Sequence, residues 1–378
     1  MFMKTAFCSN PEFIDIYDET GKTCVSIIIP THKLSHERQA DKIVLTKAIE
    51  NARKQLNENF GIYQLDHIMR SLDELSNEID FDHNDEGLGL FVSETIKLAV
   101  KFPFPVIEKV ILGYHFEIRD LLMTQKYNSP YFILSLNEQG SKLYKGRMDQ
   151  LEEIEDDHFP TVHVHDYEYD PSGKASVHSG SAVVEQYEKD KSLQQALHFK
   201  NFLQKTDRKL DVYLGKNVEL IVLAPRKELA WFNIITDHFE QIITTIHGNF
   251  QHENIAEIAK LCWREMKQHL ERSSQQEFDQ FREKIGQKLA VYGLDQVWKS
   301  AHEGNGLKLL VERDYMFTGY TDEQDYELHV SPEGKNDKLL PDAVDELIRL
   351  VLDKNGGVCF TENDKLIDFN RIALITRY

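Results

Sequence analysis

Tyr131-Phe-Ile-Leu-Ser-Leu136, followed by Lys142-Leu-Tyr-Lys-Gly-Arg147, is the stretch on which the fold turns. The first run is apolar and rich in strand formers. Asn137 to Gly140 carries turn chemistry, so a hairpin returning through Lys142 to Tyr144 is predicted. Asn128-Ser129-Pro130 punctuates the chain just before it and marks a domain boundary. Downstream, Ala196, Phe199, Phe202, Leu203 and Leu210 form the buried face of a helix, and Val218 to Leu223 is a continuous apolar run typical of a strand covered on both sides. Between them lie a polar, acidic segment (149–157), a predicted strand from Val162 to Tyr167, and a glycine- and serine-containing loop lasting to about Asp190. Strand, strand, loop, helix and strand make one α/β unit.

The flanking sequence mixes helices with sheets. Cys24 to Ile29 is a β-branched run ended by Pro30, a buried strand, and Leu45, Ala48, Ile49, Ala52 and Leu56 place one apolar stripe on a helix over 39–59. A helix over 65–79 follows, then strand-like pieces at 87–92, 96–102, 109–112 and 117–124. After residue 227 the pattern predicts helices over 230–245, 254–272 and 275–292, and a strand over 306–312. Pro341 and Asp342 then open a helix, Asn355-Gly356 ends it, and strands over 358–360 and 371–376 close the chain. At 378 residues the chain exceeds what a single core supports. Three domains are expected: 1–127, 128–226 and 227–378.

Composition narrows the partners. Lysines and arginines number 44 against 63 acids, a net charge of −19, and such a surface repels phosphate backbones unless its basic side chains gather on one face. Indiscriminate nucleic-acid binding is excluded, and no DNA partner is expected. A shape-specific contact with RNA through one local patch survives, because counterion release depends on the contacting face. Cys8, Cys24, Cys262 and Cys359 are widely spaced and signal neither a disulfide framework nor a zinc site. Met1 to Cys8 lacks a signal-peptide core, and charges interrupt every apolar stretch short of a membrane span, so the expected address is the cytoplasm, away from membranes.

Three features in order carry a resemblance. Val25-Ser-Ile-Ile-Ile-Pro-Thr-His-Lys33 leads a strand through a Pro-Thr-His-basic turn into a helix. The 131–147 hairpin is followed by its helix and the Val218 strand. Tyr292-Gly-Leu-Asp-Gln-Val-Trp-Lys-Ser-Ala-His302 runs into Leu307-Lys-Leu-Leu-Val-Glu312, then Gly356-Gly-Val-Cys-Phe360 and Ile372-Ala-Leu-Ile-Thr-Arg-Tyr378. Together they resemble the bacterial archaeo-eukaryotic release factor family. The resemblance implies an α/β protein of three domains, with a central RNase H-like domain and a C-terminal α/β/α sandwich similar to kink-turn-binding ribosomal proteins. It also implies ribosome binding, with rRNA and the tRNA acceptor end as contacts.

Peptide release in that family needs Gly-Gly-Gln in the loop before the central helix, where two glycines permit a close approach that a Cβ blocks. The matching connection, 170–191, holds His178-Ser179-Gly180-Ser181 with Gln186 five residues beyond, and the motif is absent. The one Gly-Gly in the chain, Gly356-Gly357, follows a helix and reads as its cap. No catalytic residue and no cofactor are expected. The function implied is non-catalytic rescue, splitting or hibernation of ribosomes. The alternative is a hydrolase, acting on peptidyl-tRNA through an unorthodox loop or on a small substrate through a histidine-rich metal site.

Candidate contacts divide in two. In the loop, Lys174, His178, Gly180 and Ser181 have the size and chemistry to approach RNA, and the same composition suits a plain mobile surface segment. At the first strand's exit, Thr31, His32 and Lys33 suit a phosphate at free backbone N–H groups; a polar cap with no ligand is the other reading. Lys200, Lys205, Arg208 and Lys209 form either a basic patch or an ordinary solvated helix face. His158, His163, His165, Asp166 and His178 match no established zinc spacing, and no metal site is assigned.

Overall fold

A computed structural model describes residues 11–32, 38–59, 62–163, 182–215, 218–251, 253–322, 327–332 and 338–378. It separates into two compact units, Met1–Tyr127 with Arg272–Tyr378, and Asn128–Glu271. The fold is mixed α/β with several sheets.

In the first unit, helix α1 (Pro11–Asp18) precedes β1 (Cys24–Pro30), α2 (Arg38–Asn59), α3 (Ile62–Glu78), β2 (Gly87–Val92), β3 (Lys97–Phe102), β4 (Lys109–Gly113) and α4 (Arg119–Tyr127). The strands form an antiparallel sheet in the order β3-β2-β1-β4. Alternation along β1 decides its two faces: Val25, Ile27 and Ile29 pack on Leu45, Ala52 and Leu72 from α2 and α3, while Cys24 and Ile28 meet Phe13, Ile16, Phe91 and Phe116.

The second unit holds β5 (Tyr131–Asn137), β6 (Gly140–Arg147), β7 (Gln150–Glu153), β8 (Thr161–Val162), α5 (Ala182–Leu210), β9 (Leu220–Ala224), α6 (Arg226–Ile235), β10 (Ile242–His247) and the start of α7 (Ile255–Gly286). Its sheet runs β10-β9-β5-β6-β7, with β8 also on β6. The pairs β5·β6 and β6·β7 are antiparallel, and β5·β9 and β9·β10 parallel. Phe132, Leu134 and Leu136 point to Phe199, Leu203 and Phe232; Tyr131 and Ile133 point the other way, to Ile258, Cys262 and Met266.

The first unit resumes with the end of α7, then β11 (Ala290–Tyr292), α8 (Leu294–His302), β12 (Gly306–Glu312), β13 (Gly319–Thr321), β14 (Leu328–His329), β15 (Lys338–Leu340), α9 (Ala343–Asp353), β16 (Gly357–Thr361) and β17 (Ile372–Thr376). A β11-β17-β12-β16 sheet is covered by α8 and α9 on one face and by Phe278, Phe281 and Ile285 of α7 on the other. At the end of α9, Asn355 takes the left-handed conformation (φ 60). Gly356 is required by proximity, since a Cβ there would stand 2.6 Å from Val351.

Three expectations need correction. The strand predicted over 117–124 is the helix α4, because its first amides, of Ile118 and Arg119, donate to the Asp345 carboxylate at 3.0–3.2 Å. That cap comes from a residue over two hundred positions away. The helix predicted over 230–245 ends at Ile235, where Asp207 accepts from Thr236 Oγ1 and Asp237 N, and the β-branched run 242–246 pairs with β9. The two helices predicted over 254–272 and 275–292 are one, with Ala290–Tyr292 a strand on β17. Of the strand predicted over 162–167, Val162 lies in β8 and residues 164–167 lie outside the described residues.

A buried ionic network joins 109–120 to 342–349 within the first unit. Arg119 Nη2 lies 2.6 Å from Asp342 and Nη1 donates to Tyr315 O at 2.6 Å; Lys109 meets Asp120 at 2.9 Å and Glu117 at 3.4 Å. Burial, reinforced by nearby Asp345, holds the Glu117 carboxyl well above the ordinary glutamate range despite Lys109. A carboxyl whose folded pKa is raised contributes most at low pH and loses that contribution as pH rises from its unfolded value, near ~4.3, through the folded one. Glu117→Gln should therefore gain stability relative to the wild type as pH is raised from about 4 to 7. Parallel pH-stability curves for the two proteins would refute it.

Candidate functional site

The sequence places the candidate loop between β8 and α5, and the structure defines its two anchors in the second unit. Lys174, His178, Gly180 and Ser181 themselves lie outside the described residues, as does Lys33. Chain entry is fixed at His163, whose backbone N donates to Gln139 O at 2.7 Å and whose Nδ1 donates to Glu138 O at 2.9 Å. The imidazole rests against Phe199 and Phe202 of α5, with ring centroids 5.2 and 5.0 Å away. The β5–β6 turn, β8 and the helix are thus clamped together at the foot of the connection.

Gly140 makes the clamp possible, since a Cβ there would sit 2.0 Å from Thr161 O. Only backbone displacement relieves such an overlap. Gly140→Ala should cost about 1–3 kcal/mol and separate β8 from β6. Urea unfolding measures the first, and amide exchange at Thr161 and Val162 the second; wild-type values in both would refute the close approach.

The far anchor is α5. Between Gln194 and Leu210 the helix carries Lys200, Lys205, Arg208 and Lys209, with Asp207 as its only acid. Asp207 is buried: it accepts from Thr236 Oγ1 at 2.7 Å and Asp237 N at 3.0 Å and stands 3.1 Å from His238 Nδ1. Lys205 and Arg208 are exposed together with His198, Asn201 and Gln204. Lys209 is turned to His158 O at 2.8 Å. In a chain of net charge −19, the stretch from Gln194 to Leu210 carries exposed cations and no exposed acid; Glu185, Glu188 and Asp190 precede it in the sequence, and the exposed Asp211 follows it. The stretch attracts a polyanion where the average surface repels one.

His238 was not legible as part of this arrangement. It is 5% exposed and lies between Asp207 at Nδ1 and Asp211 at Nε2, 3.1 Å each. With both ring nitrogens engaged it pins the end of α5. The signal available in the sequence was only Asp207 and Asp211 at helical spacing.

In the first unit the Thr31-His32 turn is built as a polar cap. Thr31 N donates to Glu86 O at 3.2 Å and its hydroxyl to Asp85 O at 2.9 Å; His32 N donates to Asp41 at 2.9 Å. Asp41 is buried, and Asn84 Nδ2 also donates to it at 3.2 Å. Both amides thus have protein acceptors. The imidazole, 48% exposed, is oriented by Nδ1 at 2.7 Å from Asp41. Asp41 and Asn84 were not singled out from sequence. Among the described residues no three His, Cys, Asp or Glu side chains are placed to hold a metal ion, and no helix is long and apolar enough to cross a membrane.

This two-faced α/β unit, with its clamped connection leading into α5, is accompanied by likeness to known proteins. Its residues 130–305 match the family model described as Bacterial archaeo-eukaryotic release factor family 3. Solved structures similar to it include an archaeal translation termination factor, aRF1, at 13% identity over 100% of this chain and 98% of that one, TM-score 0.25. Archaeoglobus fulgidus Pelota is similar at 15% identity over 75% and 85%, TM-score 0.36. S. cerevisiae Dom34, described as a translation termination-like factor, is similar at 13% over 75% and 73%, TM-score 0.40. No curated protein matches.

Proposed function

We propose that this protein is a cytoplasmic, translation-associated factor that binds the ribosome without hydrolysing peptidyl-tRNA, in rescue, splitting or hibernation. The observation that carries the proposal is the Gln194–Leu210 stretch of α5, where Lys205 and Arg208 are exposed without an exposed acid among them, on the helix that follows the 164–181 connection and inside the matched stretch 130–305. Exposed cations without competing acids release phosphate counterions locally, whatever the net charge elsewhere. Lys174, His178, Gly180 and Ser181 extend this contact toward rRNA or the tRNA acceptor end; at the first strand's exit the Thr31 and His32 amides have protein acceptors, so a second, smaller contact there falls to the exposed His32 imidazole and to Lys33. The missing Gly-Gly-Gln supports a non-catalytic role.

The sheet order β10-β9-β5-β6-β7, three antiparallel strands continued by two parallel ones, supports an RNase H-like reading of the central unit. The sheet between α7 and α8/α9 supports an α/β/α sandwich of the kink-turn-binding kind. The three-domain division at 127/128 and 226/227 is proposed for units that fold independently. Fold alone does not fix function, so the test addresses binding.

The full chain is sedimented with ribosomes at two salt concentrations. With Lys200, Lys205 and Arg208 as about three phosphate contacts, raising salt fourfold, from about 50 to about 200 mM, should weaken binding roughly 20- to 40-fold. Salt-independent association, or none at low salt, would overturn the proposal.

A further inference from the structure

The buried seam between β4–α4 and α9 carries a charge count that does not balance. Lys109, Arg119 and Arg349 share it with Glu117, Asp120, Asp342 and Asp345, three cations against four carboxylates, and none of the seven is more than 7% exposed. Three of the carboxylates are well served. Asp342 accepts from Arg119 Nη2 at 2.6 Å, Val344 N at 3.0 Å and Phe317 N at 3.3 Å. Asp345 accepts from the amides of Ile118 and Arg119 at 3.0–3.2 Å, and Asp120 stands 2.9 Å from Lys109. Glu117 has the poorest contact: Lys109 Nζ lies 3.4 Å away and is already held by Asp120.

The Arg349 guanidinium spends its donors on backbone, Tyr17 O at 2.6 Å and Phe116 O at 3.2 Å. On the β1 side, Ser26 Oγ accepts from Glu117 N at 3.0 Å, and that strand, Cys24–Pro30, carries no charge. His115, two residues ahead of Glu117, is uncharged at neutral pH, because burial, then the Arg349 and Lys338 charges, hold its imidazole down at about 4. Burying a net charge is costly enough that a carboxyl binds a proton instead. Burial raises the carboxyls of both Glu117 and Asp345, and the two amides on Asp345 keep that one charged. The proton therefore falls to Glu117.

We propose that the seam closes around one proton carried by Glu117 and acts as a pH latch within the first unit. With the proton in place, three cations meet three carboxylates and one neutral acid. Its loss at higher pH leaves an uncompensated negative charge between α4 and α9 and loosens the amides that the start of α4 presents to Asp345. The folded unit then holds one proton that the unfolded chain gives up to water at any pH above the ordinary glutamate value, near ~4.3. The Glu117 contribution to folding falls about tenfold per pH unit from there up to its folded value. The latch stands apart from the translational reading, since none of its residues belongs to the second unit.

The full chain is isotopically labelled at its glutamate side-chain carboxyl carbons and followed by NMR from acid to alkaline pH. One glutamate carboxyl should remain protonated at neutral pH, and its resonance should be missing in Glu117→Gln. Asp345→Asn removes one negative charge from the seam and should lower the titration midpoint of that resonance by about one pH unit or more. Above the wild-type midpoint, amide exchange at Ile118 and Arg119 should run about tenfold or more faster in the wild type than in Glu117→Gln at the same pH. The proposal is overturned if every glutamate has titrated by neutral pH, a result that needs no variant to fold. It is equally overturned if the protonated resonance survives in Glu117→Gln, if Asp345→Asn leaves the midpoint in place, or if Ile118 and Arg119 exchange alike in both proteins.

Discussion

Asp345→Ala should lower the unfolding free energy of the first unit by about 3–5 kcal/mol. The Asp345 carboxylate is 4% exposed and accepts from the amides of Ile118 and Arg119 at 3.0–3.2 Å, so its removal leaves two buried donors with no acceptor. Each orphaned donor costs roughly 1–3 kcal/mol. Water cannot replace the lost oxygens, because Ile118 is completely buried. Arg119 keeps Asp342 at 2.6 Å, which limits the loss to the Asp345 contacts and the local charge balance. Asp345→Asn retains one acceptor oxygen and should cost less, about 1–2 kcal/mol. Denaturant unfolding followed at Trp298, with Trp231 and Trp263 changed to Phe, reads this unit directly. A loss under about 1 kcal/mol for the alanine variant would show that these amides do not depend on Asp345.

Lys205→Glu with Arg208→Glu should reduce ribosome affinity by about tenfold or more and flatten the salt dependence by about one unit of log–log slope per residue. Both side chains are exposed and make no buried contact, so thermal stability should stay near wild type. Reversal on an ordinary solvated helix face would leave binding unchanged. A control reversal at Lys97, bound to Glu74 and Glu78 at 3.0 Å in the first unit, distinguishes a local patch from a global charge effect. Equal losses from both would sink the α5 assignment.

The strands that the sequence made legible are those whose burial is dictated by composition alone. Gly87–Val92 falls at the expected residues because a continuous apolar run needs cover on both faces, and Gly306–Glu312 falls there too, with Leu307 left exposed. The α2 stripe of Leu45, Ala48, Ile49, Ala52 and Leu56 is likewise buried as its spacing requires. Elements whose ends are set by distant groups were misread. Residues 117–124 read as strand until Asp345 caps the helix Arg119–Tyr127, and the helix at Ile235 continues in the sequence pattern until Asp207 ends it.

The same distinction governs the candidate sites. That a Gly-Gly-Gln is missing and that basic residues cluster at 200–209 are properties of the chain's covalent order, readable without coordinates. That Asp207 turns inward to Thr236 and His238, leaving Lys205 and Arg208 exposed without an exposed acid between Gln194 and Leu210, is decided by packing. A side chain's type is fixed by the sequence, but the field it produces depends on its burial and partners, and those arise only when distant segments meet.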